Sequence, residues 1–360
     1  MKVTISSERS LLLSGPGSFS VSKGICHLFG KALNQDDSVL ISPGRIIPLE
    51  AETKTEIKLD LSGGRFKEVE GKLIPFEWKT LAERMSKQDR FIGIIIGECD
   101  SGKTSLILYL TNKLAKSKKV AVIDCDLGQS KIGPPGTIGL GITTDPYSSL
   151  EEMSFIDGYF IGSKIPGGNF AAVIAGISRL TKRALQEQSD YILVDTSGYV
   201  SGPAAAFLKA QKIMILNPNA IILLENDPLP LKPLIQPFKN VYPVWSVPIP
   251  KAITVMSREG RVALREFAFQ RYFQNSQKIK LNLNSVSIFD SRQKPASLPS
   301  SLVGLYGAQG LFLGCGILLD INNKDNVLTC LTPVNFSLIH LVQIGEIRIS
   351  PDTGKELLSD

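Results

Sequence analysis

The chain has 360 residues, with 40 Lys+Arg against 34 Asp+Glu and a formal net charge of +6. With 43% hydrophobic and 21% charged residues it has a globular composition, which excludes wholesale disorder, and its length predicts two or three domains. The charge is compatible with a polyanionic partner without arguing for one, whereas having only His27 and His340 argues against a His-rich zinc site or a multi-His catalytic centre.

The five cysteines, Cys26, Cys99, Cys125, Cys315 and Cys330, form no C-x-x-C pair and are odd in number. That usage predicts reduced thiols and a cytoplasmic protein without a disulfide framework. The start, MKVTISSERSLLLSGPGS, has no h-region, and the longest apolar runs, such as Phe91–Gly97 and Ala220–Leu224, have buried-strand length. They fall far short of the ~20 residues of a membrane span, so no membrane partner is expected.

Residues 1–78 carry short alternating stretches (SFSVSKG, SVLISPGRIIPLEA, TEIKLDLSGG) punctuated by Gly, Pro, Ser and Asp, which predicts a small N-terminal β domain. A polar helix follows at 76–89. From Phe91 the texture changes: FIGIIIG is a continuous apolar run, as in a parallel strand covered on both faces. A helix at 103–117, with Leu106, Leu110 and Leu114 at fourfold spacing, leads to the strand VAVIDCD. A long helix at 171–188, the strand YILVDTSG, a further helix, the strand AIILLEN and a basic helix at 258–274 complete the region. Alternating strands and helices predict an α/β fold with an open, mostly parallel sheet across 79–275. Residues 276–360 return to β texture (SVSIFD, LVGLYGAQG, LFLGCGILLDIN, VLTCLTPV, LIHLVQIGEIRIS), giving a C-terminal β domain.

Gly97-Glu98-Cys99-Asp100-Ser101-Gly102-Lys103-Thr104 fits G-x-x-x-x-G-K-[ST], directly after a strand and before a helix, with Ser105 next. In such a loop, backbone N–H groups curl around phosphate oxygens at the positive end of the helix dipole. Lys103 is placed to reach the β/γ-phosphates and Thr104 to bind Mg²⁺, so nucleoside triphosphate binding is expected. The next strand ends Asp124-Cys125-Asp126, followed by Leu127-Gly128-Gln129. Alternation about Cys125 predicts both carboxylates on one side, one organising Mg²⁺ and the other taking a proton from an attacking hydroxyl. Asp195-Thr196-Ser197-Gly198 has the D-x-x-G of GTPases, but the guanine-reading N-K-x-D is missed by Asn323-Lys324-Asp325-Asn326, and Ser86-Lys87-Gln88-Asp89 lies in the wrong order. Arg258, Arg261 and Arg265 share one helical face, the pattern of arginines that stabilise a transferring phosphoryl group, or of a solvated basic face.

The combination of GECDSGKT, DCDLGQ, PPGT (134–137), DTSGY and an arginine-bearing helix ending in RYF (271–273) resembles the polynucleotide 5′-hydroxyl kinase family. Its members include kinase subunits of RNA-cleavage and pre-ribosomal RNA-processing complexes, and the length resembles the archaeal members. GICHLFGKAL (24–33) and YGAQGLFLGCGIL (306–318) are similar to its N- and C-terminal β domains, so the resemblance covers nearly the whole chain. It implies a central P-loop kinase domain between two small β domains. It implies ATP as phosphate donor, Mg²⁺ or another divalent cation, 5′-OH RNA as acceptor with DNA left open, and RNA-processing protein partners. Lys103 and Thr104 would hold phosphate and metal. Asp126 would activate the 5′-hydroxyl and Gln129 would place metal or substrate. Pro135, Gly136, Thr137 and the loop 162–169 would border the RNA end. The family's clasp Thr-x-Gly-Trp reads Thr196-Ser197-Gly198-Tyr199 here, with tyrosine offering a smaller stacking area. Met256-Ser257-Arg258 stands where the lid has Arg-Ser before its second arginine, so Arg261 carries over best.

Gly139-Leu140-Gly141 lacks the rest of a dinucleotide fingerprint, and Trp78 and Trp245 are expected as packing residues. The reading is an ATP-dependent polyribonucleotide 5′-hydroxyl kinase. Its rival is a non-catalytic ATP-bound adaptor subunit, which need not keep Lys103, Asp126 and Gln129 together.

Overall fold

The computed structural model describes residues 1–251, 256–290 and 299–357. The chain forms two compact units. One is built from Met1–Val122, Ile142–Ser154 and Gln186–Gly260, the other from Ile123–Gly141, Phe155–Leu185 and Arg261–Asp360.

In the first unit the N-terminal strands make two sheets. One places Lys2–Ile5, Thr55–Asp60, Gly17–Lys23 and Ser38–Ile41 side by side, and the other Lys31–Leu33, Cys26–Leu28, Ile46–Ala51, Arg9–Ser14 and Arg65–Glu70. The alternation in TEIKLD does what period two dictates: Thr55, Ile57 and Leu59 are buried while Lys58 and Asp60 face solvent. The polar helix expected at 76–89 is α1 (Phe76–Ser86), and it leads into β1 (Phe91–Gly97). β1 runs parallel to β5 (Tyr191–Thr196) on one side and to β6 (Ala220–Leu224) on the other, with β7 (Val244–Val247) parallel beyond β6. Ile94 lies level with Val194 and Ile221, so the apolar run is covered on both faces, as its sequence demands. α2 (Lys103–Leu114) buries Leu106, Leu110 and Leu114. α4 (Pro203–Leu216) follows β5.

Both tryptophans are packing residues here. Trp78 is fully buried, its ring 5.9 Å from that of Tyr109, and its indole N–H donates to the Pro248 carbonyl. Trp245 stacks on Phe91 at 5.4 Å, with the Arg84 guanidinium 4.1 Å from its ring centre. The N-terminal sheets are tied to α2 by the buried Asn112. Its amide nitrogen donates to the carbonyls of Phe29 and Tyr147, both at 2.9 Å, and its oxygen accepts from Tyr147 N–H at 2.8 Å. Arg45 adds a second tie, donating to Ser149 Oγ near Glu151, and burial lowers its pKa.

β2 (Val120–Cys125) carries the chain from the first unit into the second. There β3 (Thr137–Thr143) and β4 (Phe155–Phe160) pair antiparallel, two strands the sequence reading missed. The sequence masked them because three glycines and a β-bulge interrupt the apolar pattern. The Gly139-Leu140-Gly141 stretch lies inside β3, where a Cβ on Gly139 would sit 1.7 Å from the Ile132 carbonyl oxygen. Close backbone approach, and not a dinucleotide, accounts for that glycine. α3 (Phe170–Gln186) packs Gly176 against Ile138 and the Tyr159 ring. The C-terminal strands form a six-stranded sheet, antiparallel except where Ser287–Asp290 runs parallel to Leu341–Arg348. α5 (Arg258–Phe273) seats Phe269 and Phe273 in a core shared with Phe160, Leu302, Tyr306 and Phe312. The fold class is α/β, a P-loop sheet with β sheets before and after it in the chain. Among the described residues no helix is long and apolar enough to cross a membrane.

Candidate nucleotide and acceptor site

Within the first unit, the loop between β1 and α2 has the shape the motif requires. Asp100 and Gly102 adopt left-handed backbone (φ 55° and 94°), which turns the chain sharply before the helix starts at Lys103. Gly97 is needed at the strand end, since a Cβ there would meet Ser101 Oγ at 2.7 Å and the Leu224 carbonyl oxygen at 2.9 Å. Lys103 is almost wholly buried, and its ammonium donates back to the Glu98 carbonyl at 2.5 Å, closing the loop on itself. Ser101 Oγ is buried without a hydrogen-bond partner among the described residues, Ser105 is half-buried in the first turn of α2, and Cys99 is the exposed thiol at the loop crest. The Asp100 carboxylate accepts from Met256 N–H at 3.3 Å.

β5 delivers the partner of the Walker threonine. Thr104 donates its hydroxyl to Asp195 Oδ2 at 2.8 Å, and Asp195 is only 2% exposed. The D-x-x-G reading had noticed Asp195 only as a GTPase mark. Its place at the end of a strand parallel to β1 was the available signal for this role. Asn323-Lys324-Asp325-Asn326 is a hairpin turn, with Asn322 Oδ1 accepting from the N–H groups of Lys324 and Asp325. That turn leaves the N-K-x-D idea nothing to stand on.

The clasp residues lie beside the same loop. A Cβ on Gly198 would come within 2.5 Å of Cys99 N and 2.6 Å of Cys99 Cα, so only glycine fits there. Tyr199 next to it is exposed. Thr196 is fully buried, and its hydroxyl donates to the Ile95 carbonyl at 2.7 Å, tying β5 to β1.

In the second unit the two carboxylates at the end of β2, Asp124 within it and Asp126 just past it, divide their labour. The strand ends at Cys125, so alternation does not carry Asp126 onto the face of Asp124. Asp124 is 1% exposed and accepts from Asp126 N–H, Ser130 Oγ, Lys131 N–H and Ile132 N–H. Its oxygens hold the turn 126–132 together. Asp126 is half-buried, and its Oδ1 accepts from Gly128 and Gln129 N–H at 3.1 and 3.2 Å. Its Oδ2 and the Gln129 side-chain amide have no hydrogen-bond partner among the described residues. In the segment after them Pro135, Gly136 and Thr137 are buried, Thr137 Oγ1 donates to the Pro134 carbonyl, and Gly136 O accepts from Ile161 and Gly162 N–H. These polar groups are spent on the turn that follows the Asp126 loop.

Along α5, Arg258 is exposed and Arg261 half-buried. Arg265 is held within the chain: its guanidinium binds Glu356 through Nε at 2.5 Å and Nη2 at 3.4 Å, and Lys164 reaches the same carboxylate at 3.0 Å. Burial pushes the Glu356 carboxyl up, but the hydrogen bonds and charges of Arg265 and Lys164 outweigh it and hold its pKa below the usual range. None of the five cysteines is in a disulfide. Burial pushes the Cys26 and Cys330 thiols up to about 12 and raises Cys315 further.

Residues 97–275 match the family model described as mRNA cleavage and polyadenylation factor CLP1 P-loop. The polyribonucleotide 5′-hydroxyl kinase of Pyrococcus horikoshii is 30% identical over 341 residues, covering 79% of this chain and 93% of that protein. The chain belongs to the family of the archaeal polyribonucleotide 5′-hydroxyl kinases. The corresponding kinase of Methanocaldococcus jannaschii is also 30% identical, over 73% of this chain and 88% of its own. Among solved structures, Clp1p in its complex with Pcf11p matches with a TM-score of 0.76 at 17% identity, covering 97% of both chains, a likeness of fold. The family assignment agrees with the resemblance carried by GECDSGKT, DCDLGQ and DTSGY.

Proposed function

We propose that this chain is an ATP-dependent polyribonucleotide 5′-hydroxyl kinase, which moves the γ-phosphate of ATP to the 5′-OH end of RNA and works in the cytoplasm on RNA processing or repair. The observation that supports this most is the division of labour at the end of β2: Asp124 is consumed by the turn, while Asp126 is oriented through one oxygen and keeps the other open.

In the proposed reaction, the backbone amides of 98–103 and the Lys103 ammonium bind the terminal phosphates, which requires Lys103 to leave the Glu98 carbonyl. Asp126 Oδ2 accepts the proton of the 5′-hydroxyl as its oxygen attacks the γ-phosphorus in line, giving 5′-phosphate RNA and ADP. Gln129, with its free amide, orients the acceptor, and Tyr199 offers its exposed ring to the terminal base. Arg261 and Arg258 are the arginines assigned to the charge that spreads over the phosphoryl oxygens. The Thr104 hydroxyl and the buried Asp195 carboxylate form a pair of hard oxygen donors of the kind Mg²⁺ takes, directly or through water. Bound there, Mg²⁺ would neutralise phosphate charge. Thr104 and Asp195, paired at 2.8 Å, are the residues assigned to it.

Incubation with γ-labelled ATP and 5′-OH oligonucleotides, RNA and DNA in separate arms, tests the reading. Label transfer to RNA that is lost in Lys103→Ala and Asp126→Asn is the expected result. ATP bound without any transfer would instead make the chain an adaptor.

A further inference from the structure

The helix α4 buries two lysines, and one of them faces the functional loop. Lys209 is 0% exposed, and its ammonium donates to the main-chain carbonyl of Ser197 at 2.7 Å. A lysine seldom gives up all of its hydration, because desolvating an ammonium is costly unless a specific partner compensates. The carbonyl it grips belongs to the four residues that leave β5: Thr196 is anchored to Ile95, Gly198 lies against the Cys99 main chain, and Tyr199 is exposed. Ser197 is therefore the point between the fixed strand and the exposed ring. Its own Oγ is enclosed and has no hydrogen-bond partner among the described residues, so nothing but the Lys209 contact is seen to hold this residue through a side chain.

We infer that Lys209 is a positioning residue for the 5′-hydroxyl acceptor: its buried ammonium fixes the Ser197 carbonyl and so sets the height and direction of Gly198 and Tyr199 beside the phosphate loop. The inference rests on the proposed kinase reading in taking the acceptor as an RNA end. Its physical content is that the contact from Lys209 to the Ser197 carbonyl fixes the posture of the loop. Lysine suits the task because a single charged donor on a long stem reaches the carbonyl from the next helix, and a charge-assisted bond is stronger than a neutral one.

The test compares Lys209→Met, Lys209→Arg and Tyr199→Ala with the full-length protein, measuring KM for a 5′-OH oligoribonucleotide, KM for ATP, kcat and thermal midpoint. Methionine fills a similar volume without the donor, so Lys209→Met is expected to raise the RNA KM by roughly tenfold, the fold-change that follows from one unmet buried carbonyl. The ATP KM should stay within about twofold, and Lys209→Arg should recover part of the loss. Adding Tyr199→Ala to Lys209→Met should cost little more, since both act through one loop. An unchanged RNA KM in Lys209→Met overturns the inference, as does a loss spread equally over RNA and ATP. If Lys209→Met does not fold, Lys209→Arg carries the test: an RNA KM raised by less than about tenfold at an unchanged ATP KM supports the inference, and a wild-type RNA KM, or RNA and ATP KM raised equally, refutes it. A wild-type RNA KM in Tyr199→Ala would instead refute the clasp reading on which the inference is built.

Discussion

Replacing Asn112 by alanine should loosen the N-terminal sheets from the phosphate-loop helix. The side chain is fully buried and makes three hydrogen bonds, to Phe29 O, Tyr147 O and Tyr147 N–H. Alanine removes all three at once and leaves a small void. An orphaned buried backbone group costs about 1–3 kcal/mol, and water entering the void recovers part of that, so the net loss is about 3–5 kcal/mol. Against a typical total of about 5–15 kcal/mol this is a large share, and it corresponds to a fall in melting midpoint on the order of 10 °C. Urea unfolding followed by tryptophan fluorescence reads the right region, because Trp78 and Trp245 both lie in the first unit. The midpoint should fall at unchanged slope, and ATP binding should weaken with it, because α2 starts at Lys103. A loss below ~1 kcal/mol would refute the reasoning, since the amide would then be replaceable by water and the sheets would not brace the helix.

Gly198→Ala places a Cβ 2.5 Å from Cys99 N, so phosphate transfer and ATP affinity should both collapse while the circular dichroism spectrum stays native. Asp195→Asn keeps the volume but loses the charge beside Thr104, and titration of activity with Mg²⁺ should shift to concentrations at least ~10-fold higher. Thiol titration of the native protein should modify Cys99 alone among the five cysteines, with ATP slowing it; rapid reaction of Cys315 or Cys330 would contradict their burial. Glu356 has a pKa lowered in the fold, so its stabilising contribution is present above the unfolded carboxylate pKa and is lost as pH falls through the lower folded value. Glu356→Gln should therefore lower the melting midpoint at pH 7 and converge with the wild type in acid, below the lowered folded pKa. An equal deficit at neutral and acid pH would rule out the charge pairing with Arg265 and Lys164 as its source.

How much of this was legible beforehand depends on the range of the interactions. β1 came out residue for residue, and α2, α3 and α5 to within a turn, because apolar periodicity and the G-x-x-x-x-G-K-T spacing are local properties of the chain. The family was legible for the same reason: GECDSGKT, DCDLGQ and DTSGY are contiguous strings. The hairpin of β3 and β4 was hidden, since its glycines answer to Ile132 and a bulge and not to their own neighbours in sequence.

The sequence by itself determined which chemistry the protein can carry: a phosphate loop, carboxylates after a buried strand, a clasp and a basic helix. Only the tertiary structure decided which of those groups are free to act. Asp124, Thr137, Thr196 and Arg265 have the right residue types, yet each is committed to a partner within the fold. Asp195 and Lys209 are brought by the fold to Thr104 and to the Ser197 carbonyl, partners that no motif assigned to them. The physical reason is that a buried polar group must find a partner, and the partner is set by which backbone atoms folding brings near it. For Arg265 the partner is 91 residues away, and for Thr104 it is also 91 residues away, distances over which local sequence pattern carries no information.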